Sequence, residues 1–302
     1  MAHKALLSSV LLMATILGSV SPVYAQQDET VAEPDNMFAE ILQFARLANA
    51  AYGNRASIEK TVAAQGQDLV RYANLSKLQV SYYLASDDKN KIHTIAVRGT
   101  SNVENALVDI AIQLIKTDNS GILLHNGFAV SAKGIYNNIK PKLNKQYIIY
   151  TTGHSLGGAV AVVLAMYLKN DGYQIERVVT FGQPKVTNFS GSRKLDELEI
   201  WRVVSSADLV PLVPPLDMAD INNLDIYWHS GREIILLEGK QYSITSGIES
   251  MLRATKFLAQ PLSEKNLRHH QMSYYLALIE AKTSNAQWIP YKNDLSVFLP
   301  NW

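Results

Sequence analysis

Gly153-His154-Ser155-Leu156-Gly157 sets a serine between two glycines. Before it, Tyr147–Thr151 is a short apolar run suited to a buried strand; after it, Ala159–Leu168 is rich in helix formers. A serine in so sharp a strand-to-helix turn holds strained backbone angles and projects its hydroxyl above the sheet edge. The residues two positions away then do best without a β-carbon, a condition that Gly153 and Gly157 meet, with Gly158 behind them. The chemistry that such a turn serves is nucleophilic attack on a carbonyl. The start of the following helix favours the negative charge that develops, and the backbone N–H of Leu156 is expected to donate to it.

A serine hydroxyl is too weak an acid to attack unaided. A histidine must take its proton and a carboxylate must orient that histidine. Where a turn of this kind carries the nucleophile, acid and histidine follow in that order along the chain. Asp208 is the best-placed acid, because Ser205-Ser206-Ala207-Asp208 is the loop after the mostly apolar strand Ile200–Val204. Asp217, Asp220 and Asp225 lie in a more polar stretch and read as solvated loop. Three histidines come after Asp208: His229, just before the strand-like Glu233–Leu236, and the adjacent pair His269 and His270, at a loop-to-helix transition. The order of residues leaves all three open as the base. The His269-His270 pair, without further ligand spacing, does not make a zinc site.

The elements that must position these residues alternate along the chain. Met37–Tyr52 has helical spacing, with Phe38, Ile41, Leu42, Ala45 and Ala48 on one side and Gly53 as a stop. Strands are expected at Leu78–Ala85, Lys91–Arg98, Tyr147–Tyr150, Arg177–Phe181 and Glu199–Val204, and helices around Val103–Lys116, Gly127–Leu143 and Leu156–Lys169. In Lys91–Arg98, Ile95 and Val97 point to one face and Ile92, Thr94 and Ala96 to the other, the pattern of a strand covered on both sides. This alternation predicts an α/β fold with a largely parallel central sheet flanked by helices. No repeat or linker appears, so residues 26–302 read as one domain.

Gly-His-Ser-Leu-Gly-Gly at 153–158 resembles the turn of the class 3 lipases, the family that includes filamentous-fungal triacylglycerol lipases. Val97-Arg98-Gly99-Thr100, His125-Asn126-Gly127-Phe128, Phe181-Gly182-Gln183-Pro184-Lys185-Val186 and Asp208-Leu209-Val210-Pro211 are similar to blocks of that family in the same order. The likeness covers roughly residues 40 to 280. It implies an α/β-hydrolase fold and a Ser155–Asp208–His270 triad, with His229 at a position where the family often carries a non-catalytic histidine. It also implies Thr100 as the second oxyanion donor beside Leu156. Thr187 departs from the pattern, since the family usually has glycine before Asn188. Apolar residues recur at Val103, Ala106, Leu107, Ile110, Ala111 and Leu114, an amphipathic pattern at the 3.6 period. That segment reads either as a helix packed on the sheet or, as the resemblance implies, as a lid whose Asp109 bonds the Thr100 hydroxyl when open.

Composition narrows the function further. Charge is balanced, with 28 basic and 27 acidic residues, and no Lys/Arg cluster offers a footprint for nucleic acid. With no cysteine, disulfides, thiolate metal sites and cysteine nucleophiles are excluded. The proposed chemistry needs no metal or organic cofactor. Met1–Ala25 has a Lys4 start, an apolar run and a small-residue end at Ala25, the signature of a cleaved signal peptide. The run is shorter than the ~20 residues of a comfortable membrane span, so an exported protein, secreted or periplasmic and without a lasting anchor, is expected. Removing this leader leaves a formally neutral chain, suited to a lipid or ester met through hydrophobic contact, including at a lipid–water interface. Trp288, Tyr291, Phe298 and Trp302 read as core caps more readily than as membrane contacts. The readings carried forward are an acylglycerol esterase, a phospholipase A1 with the same triad, and a non-catalytic binding protein on a hydrolase fold.

Overall fold

A computed structural model describes residues 34–100, 114–117, 122–214, 226–253 and 263–291. The leader at 1–25, Asp109, Asp217, Asp220, Asp225, Phe298 and Trp302 lie outside the described residues. The chain opens with helices α1 (Pro34–Ala50) and α2 (Arg55–Ala63) and strands β1 (Asp68–Leu75), β2 (Val80–Asp87) and β3 (Ile92–Val97). Next come β4 (Leu114–Thr117), β5 (Ile122–His125), α3 (Asn126–Ile139), β6 (Ile148–His154), α4 (Leu156–Asn170) and β7 (Gln174–Phe181). They are followed by β8 (Thr187–Asn188), α5 (Phe189–Leu195), β9 (Ile200–Ser205), β10 (Tyr227–Trp228), β11 (Arg232–Leu236) and β12 (Gln241–Thr245). The last elements are α6 (Gly247–Arg253), α7 (Glu264–His269), α8 (Met272–Glu280) and β13 (Gln287–Trp288).

Among the described residues one nine-stranded sheet runs in the order β1-β2-β3-β6-β7-β9-β11-β12-β13. Its centre is parallel: β3 pairs with β6, β6 with β7, β7 with β9 and β9 with β11 in the same direction. Antiparallel pairings add β1 and β2 at one side and β12 at the other. Alternation along the strands divides the core between the two faces. Tyr82, Leu84, Ile95 and Val97 join α3 and α4 in one cluster; Tyr83, Ala85 and Ala96 join α1 and α8 in the other. α4 is buried on nearly every side, from Gly157 to Leu168, as its continuous apolar sequence requires.

Apart from the helix expected around Val103–Lys116, the strands and helices expected from the sequence are present with shifted ends. β6 runs on to His154, so the strand feeds directly into the serine turn, and α3 ends at Ile139 before a short 3-10 turn at Lys140–Lys142. The helical reading of Val103–Lys116 is overturned at its C-terminal end. Leu114–Thr117 is a strand, paired antiparallel with β5 so that Leu114 faces His125 and Thr117 faces Ile122. A short apolar run does not by its period alone distinguish strand from helix, and here the hairpin partner decides. The remainder of that segment, 101–113, lies outside the described residues. β4 and β5 form a second, four-stranded sheet with β8 and β10. Thr187 lies in this sheet as fully buried extended backbone, a conformation that needs no glycine, and Asn188 beside it caps α5 through the Gly191 N–H. Trp288 sits on the edge strand β13 and is 56% exposed.

Candidate active site

Thr100, Ser155 with Leu156, and Asp208 follow the carboxyl ends of β3, β6 and β9, and Gly182 follows β7 between them in the strand order β3-β6-β7-β9. Adjacent strands lie about 4.8 Å apart, so groups attached to these four ends are placed within reach of one another.

Ser155 follows β6 with φ 56° and ψ −132°, in the left-handed half of backbone space that side chains other than glycine rarely occupy. Such a conformation costs on the order of 1–3 kcal/mol and persists only where surrounding contacts determine it. Here the Ser155 N–H donates to the Phe181 carbonyl at the end of β7, 2.8 Å away. The flanking glycines are required by close approach. A β-carbon on Gly153 would lie 2.5 Å from the Gly157 carbonyl carbon, and one on Gly157 would lie 2.3 Å from the Val97 carbonyl oxygen of β3. The Ser155 side chain makes no capping bond to α4. Leu156 is the first residue of that helix, and first-turn N–H groups have no intrahelical acceptor. Gly99, at the end of β3, passes so near that a β-carbon on it would sit 3.1 Å from the Ser155 β-carbon. Thr100 follows Gly99 and is exposed.

Asp208 stands in the loop after β9 and is buried. Its Oδ2 accepts from His270 Nδ1 at 2.8 Å and from the Tyr275 hydroxyl at 2.6 Å, and its Oδ1 accepts from the Val210 N–H at 2.9 Å. Burial alone would raise its pKa. The adjacent imidazole and the three hydrogen bonds outweigh that and hold the carboxyl below its usual value. His270 lies between α7 and α8, and its Nδ1 is committed to the carboxylate. Its Nε2 is buried with no hydrogen-bond partner among the described residues. That is the tautomer in which Nε2 is free to take a proton.

Of the three histidines, only His270 reaches Asp208. His269 faces the Ser205 hydroxyl through Nδ1 at 2.8 Å, and its ring lies tilted against that of Tyr274. His229 Nε2 donates to the Pro211 carbonyl at 2.6 Å. Two residues not singled out in the sequence complete the surroundings. Tyr275 bridges Asp208 and the Ser205 N–H, which its hydroxyl accepts at 3.0 Å. Tyr52 bonds His154 Nδ1 at 2.7 Å. Each lies far along the chain from its partner, so no local pattern marks it.

Gly182 forms the floor beneath the Asp208–His270 pair. It has φ 57°, and a β-carbon there would lie 2.8 Å from Asp208 Oδ2 and 3.0 Å from both His270 Nδ1 and Cε1. Gly182→Ala is therefore expected to part the carboxylate from the imidazole and lower kcat/KM by about 100-fold, the order of effect of a small misplacement of catalytic groups. Steady-state rates with Tm measured alongside check this; unchanged kcat/KM would show that the pair tolerates the wedge.

Burial lowers the pKa of His93, His125, His154, His229 and His269, that of His154 to about 3. In the unfolded chain these imidazoles titrate near pH 6.5. Below that pH the unfolded state binds more protons than the native state, so stability falls as pH falls. For His154 alone the loss accumulated between pH 6.5 and about 3 is on the order of 4 kcal/mol. Asp208, with its lowered pKa, adds a loss of the same sign once the pH enters the carboxylate range. Tm is thus expected to drop between pH 7 and pH 5, and to drop less in His229→Gln. A Tm independent of pH across that range would contradict the neutral, buried state of these rings.

Among the described residues no group of three or more His, Cys, Asp or Glu is arranged to hold a metal ion. Nor is any described helix long and apolar enough to cross a membrane.

Residues 94–218 match the family described as Lipase (class 3). The chain is 31% identical over 188 residues to the secreted mono- and diacylglycerol lipase 1 of Fusarium solani, covering 59% of this chain and 55% of that protein. It is 29% identical over 213 residues to a lipase of Rhizopus oryzae, covering 62% of this chain and 53% of that one. It thus spans little more than half the length of these curated relatives. Among solved structures, the Lip2 lipase of Yarrowia lipolytica aligns with a TM-score of 0.55 and 28% identity, over 68% of this chain and 80% of that one. The lipase of Rhizopus microsporus var. chinensis aligns with a TM-score of 0.58 and 23% identity, over 69% and 76%. With the parallel sheet and its flanking helices, these likenesses identify the fold as that of the α/β-hydrolases.

Proposed function

We propose that the chain, whose residues 94–218 match the class 3 lipase family, is an exported serine esterase cleaving the carboxylic esters of acylglycerols. The observation that carries the reading is the buried Asp208–His270 pair, with Nε2 unpartnered, together with a serine held in a strained strand-to-helix turn. The resemblance of residues 97–100, 153–158 and 208–211 to the family's blocks supports the same assignment. So does the name of the Fusarium relative, which is a secreted mono- and diacylglycerol lipase.

In the proposed reaction the Ser155 hydroxyl gives its proton to His270 Nε2 as its oxygen attacks the ester carbonyl carbon. Asp208 holds the Nδ1–H tautomer and steadies the imidazolium. The N–H groups of Leu156 and Thr100 bind the oxyanion. Collapse of the tetrahedral intermediate breaks the bond to the alcohol, which leaves with the proton from His270. Water, activated by the same imidazole, then releases the acid from Ser155. No step draws on a metal or organic cofactor. A formally balanced chain favours hydrophobic contact with substrate over attraction to anionic lipid.

The test is labelling by a fluorophosphonate, followed by hydrolysis of matched triacylglycerol, phospholipid and short-chain esters. The label is expected on the peptide containing Ser155, with turnover fastest on acylglycerols. Faster phospholipid turnover would keep the triad and replace the substrate with that of a phospholipase A1. Absence of both label and turnover would leave a binding protein on a hydrolase fold.

A further inference from the structure

His154 stands next to Ser155 in the chain, yet its side chain turns away from the sheet edge into the protein, where it is buried. Its Nε2 lies 2.6 Å from the backbone carbonyl of His270. A carbonyl oxygen only accepts, so Nε2 carries the proton and Nδ1 must accept. The donor to Nδ1 is the Tyr52 hydroxyl, at 2.7 Å. Gly99, the residue before Thr100, packs against that hydroxyl. The result is a directed pair of hydrogen bonds, Tyr52 O–H to His154 Nδ1 and His154 Nε2–H to the His270 carbonyl, with Gly99 packed against its Tyr52 end.

From this geometry we propose that Tyr52 and His154 are positioning residues, which hold the backbone of His270 in register with the loop after β3. The inference rests on the triad reading given above and extends it to groups that touch neither substrate nor the reacting atoms. The relay ends on the His270 carbonyl and abuts the Gly99 backbone at the Tyr52 hydroxyl, so its length is set by two rings with little freedom to move. The ring of His154 also lies against that of His270, with centroids 4.5 Å apart. Burial and the neighbouring His270 keep His154 neutral, with its pKa lowered to about 3. The relay therefore keeps one direction while His270 gains and loses its proton. The space for it is tight: a β-carbon on Gly99 would lie 2.5 Å from the Tyr52 hydroxyl oxygen. The end of β3 can approach Tyr52 this closely because Gly99 has none.

The test compares Tyr52→Phe, His154→Phe, the double variant and His154→Gln on a soluble short-chain ester. Tyr52→Phe keeps the ring and removes only the hydroxyl, so it remains informative if His154→Phe fails to fold. Tyr52→Phe is expected to lower kcat at least tenfold with KM within twofold of wild type and Tm nearly unchanged. His154→Phe is expected to lose as much or more. The double variant should be no worse than His154→Phe, since groups acting in one chain are not additive. Glutamine offers one donor and one acceptor, so His154→Gln should recover most of the loss. Wild-type kcat in Tyr52→Phe, or additive losses that follow Tm and are not recovered by glutamine, would overturn the relay. Ser155→Ala, run in parallel, separates the two levels. If it is inactive while Tyr52→Phe is unimpaired, only the relay falls; if it stays active, the triad falls and the relay with it.

Discussion

Ser155→Ala is expected to lower kcat for ester hydrolysis by about 10⁴- to 10⁶-fold, the range found when a triad serine is removed. The magnitude follows from the role assigned to Oγ. Without it there is no covalent intermediate, and the imidazole and oxyanion donors can only assist direct attack by water. The fold should survive the change. The Ser155 side chain makes no capping bond, and the turn is held by the backbone bond to Phe181 and by the packing of Gly153 against Gly157. Near-wild-type Tm with the fluorophosphonate label abolished is therefore the expected companion result. Activity within tenfold of wild type, in protein purified free of host esterase, would remove Ser155 from the mechanism.

Asp208→Asn is expected to cost about 10⁴-fold in kcat at neutral pH. Asparagine fits the volume, and its carbonyl oxygen can keep a bond from Tyr275 or Val210. What it cannot do is present a second acceptor to His270. An amide N–H facing Nδ1 requires that nitrogen to accept, which moves the ring proton to Nε2 and removes the base that Ser155 needs. The imidazolium also loses the only carboxylate hydrogen-bonded to it among the described residues. Circular dichroism should show a folded protein, so that the loss is one of tautomer and charge. Asp217→Asn, Asp220→Asn and Asp225→Asn are the controls. If one of these is inactive and Asp208→Asn is not, the acid has been misplaced.

Much of this arrangement was legible from residue order because its requirements are local. The serine turn needs glycines at fixed offsets, an apolar strand before it and an apolar helix after it, and all lie within about 25 residues. The alternation of strand and helix predicted the parallel sheet for a similar reason, since each crossover is a local unit. Ile95 and Val97 against Ala96 in β3 divide between the two core clusters as the period of two requires.

The failures share one physical cause. Leu114–Thr117 carries apolar residues that suit either period, and its hairpin with β5 makes it a strand. His229, His269 and His270 were equivalent by order alone; the resemblance favoured His270, and in the structure it is His270 that meets Asp208. Tyr52 and Tyr275 were not singled out, because a tyrosine in a helical stretch looks like core until its hydroxyl finds a partner.

By itself, the sequence determined the turn at Ser155, the parallel α/β sheet and the loop after β9 that carries Asp208. Only the tertiary structure decided which histidine that carboxylate meets, that Tyr275 braces it, that Gly182 leaves room beneath the pair, and that Tyr52 and His154 bond in series to the His270 backbone. The first group rests on short-range periodicity and turn geometry. The hydrogen bonds of the second join residues 62 to 116 positions apart, and that proximity comes from the strand order β3-β6-β7-β9 and the packing of α8 against the sheet.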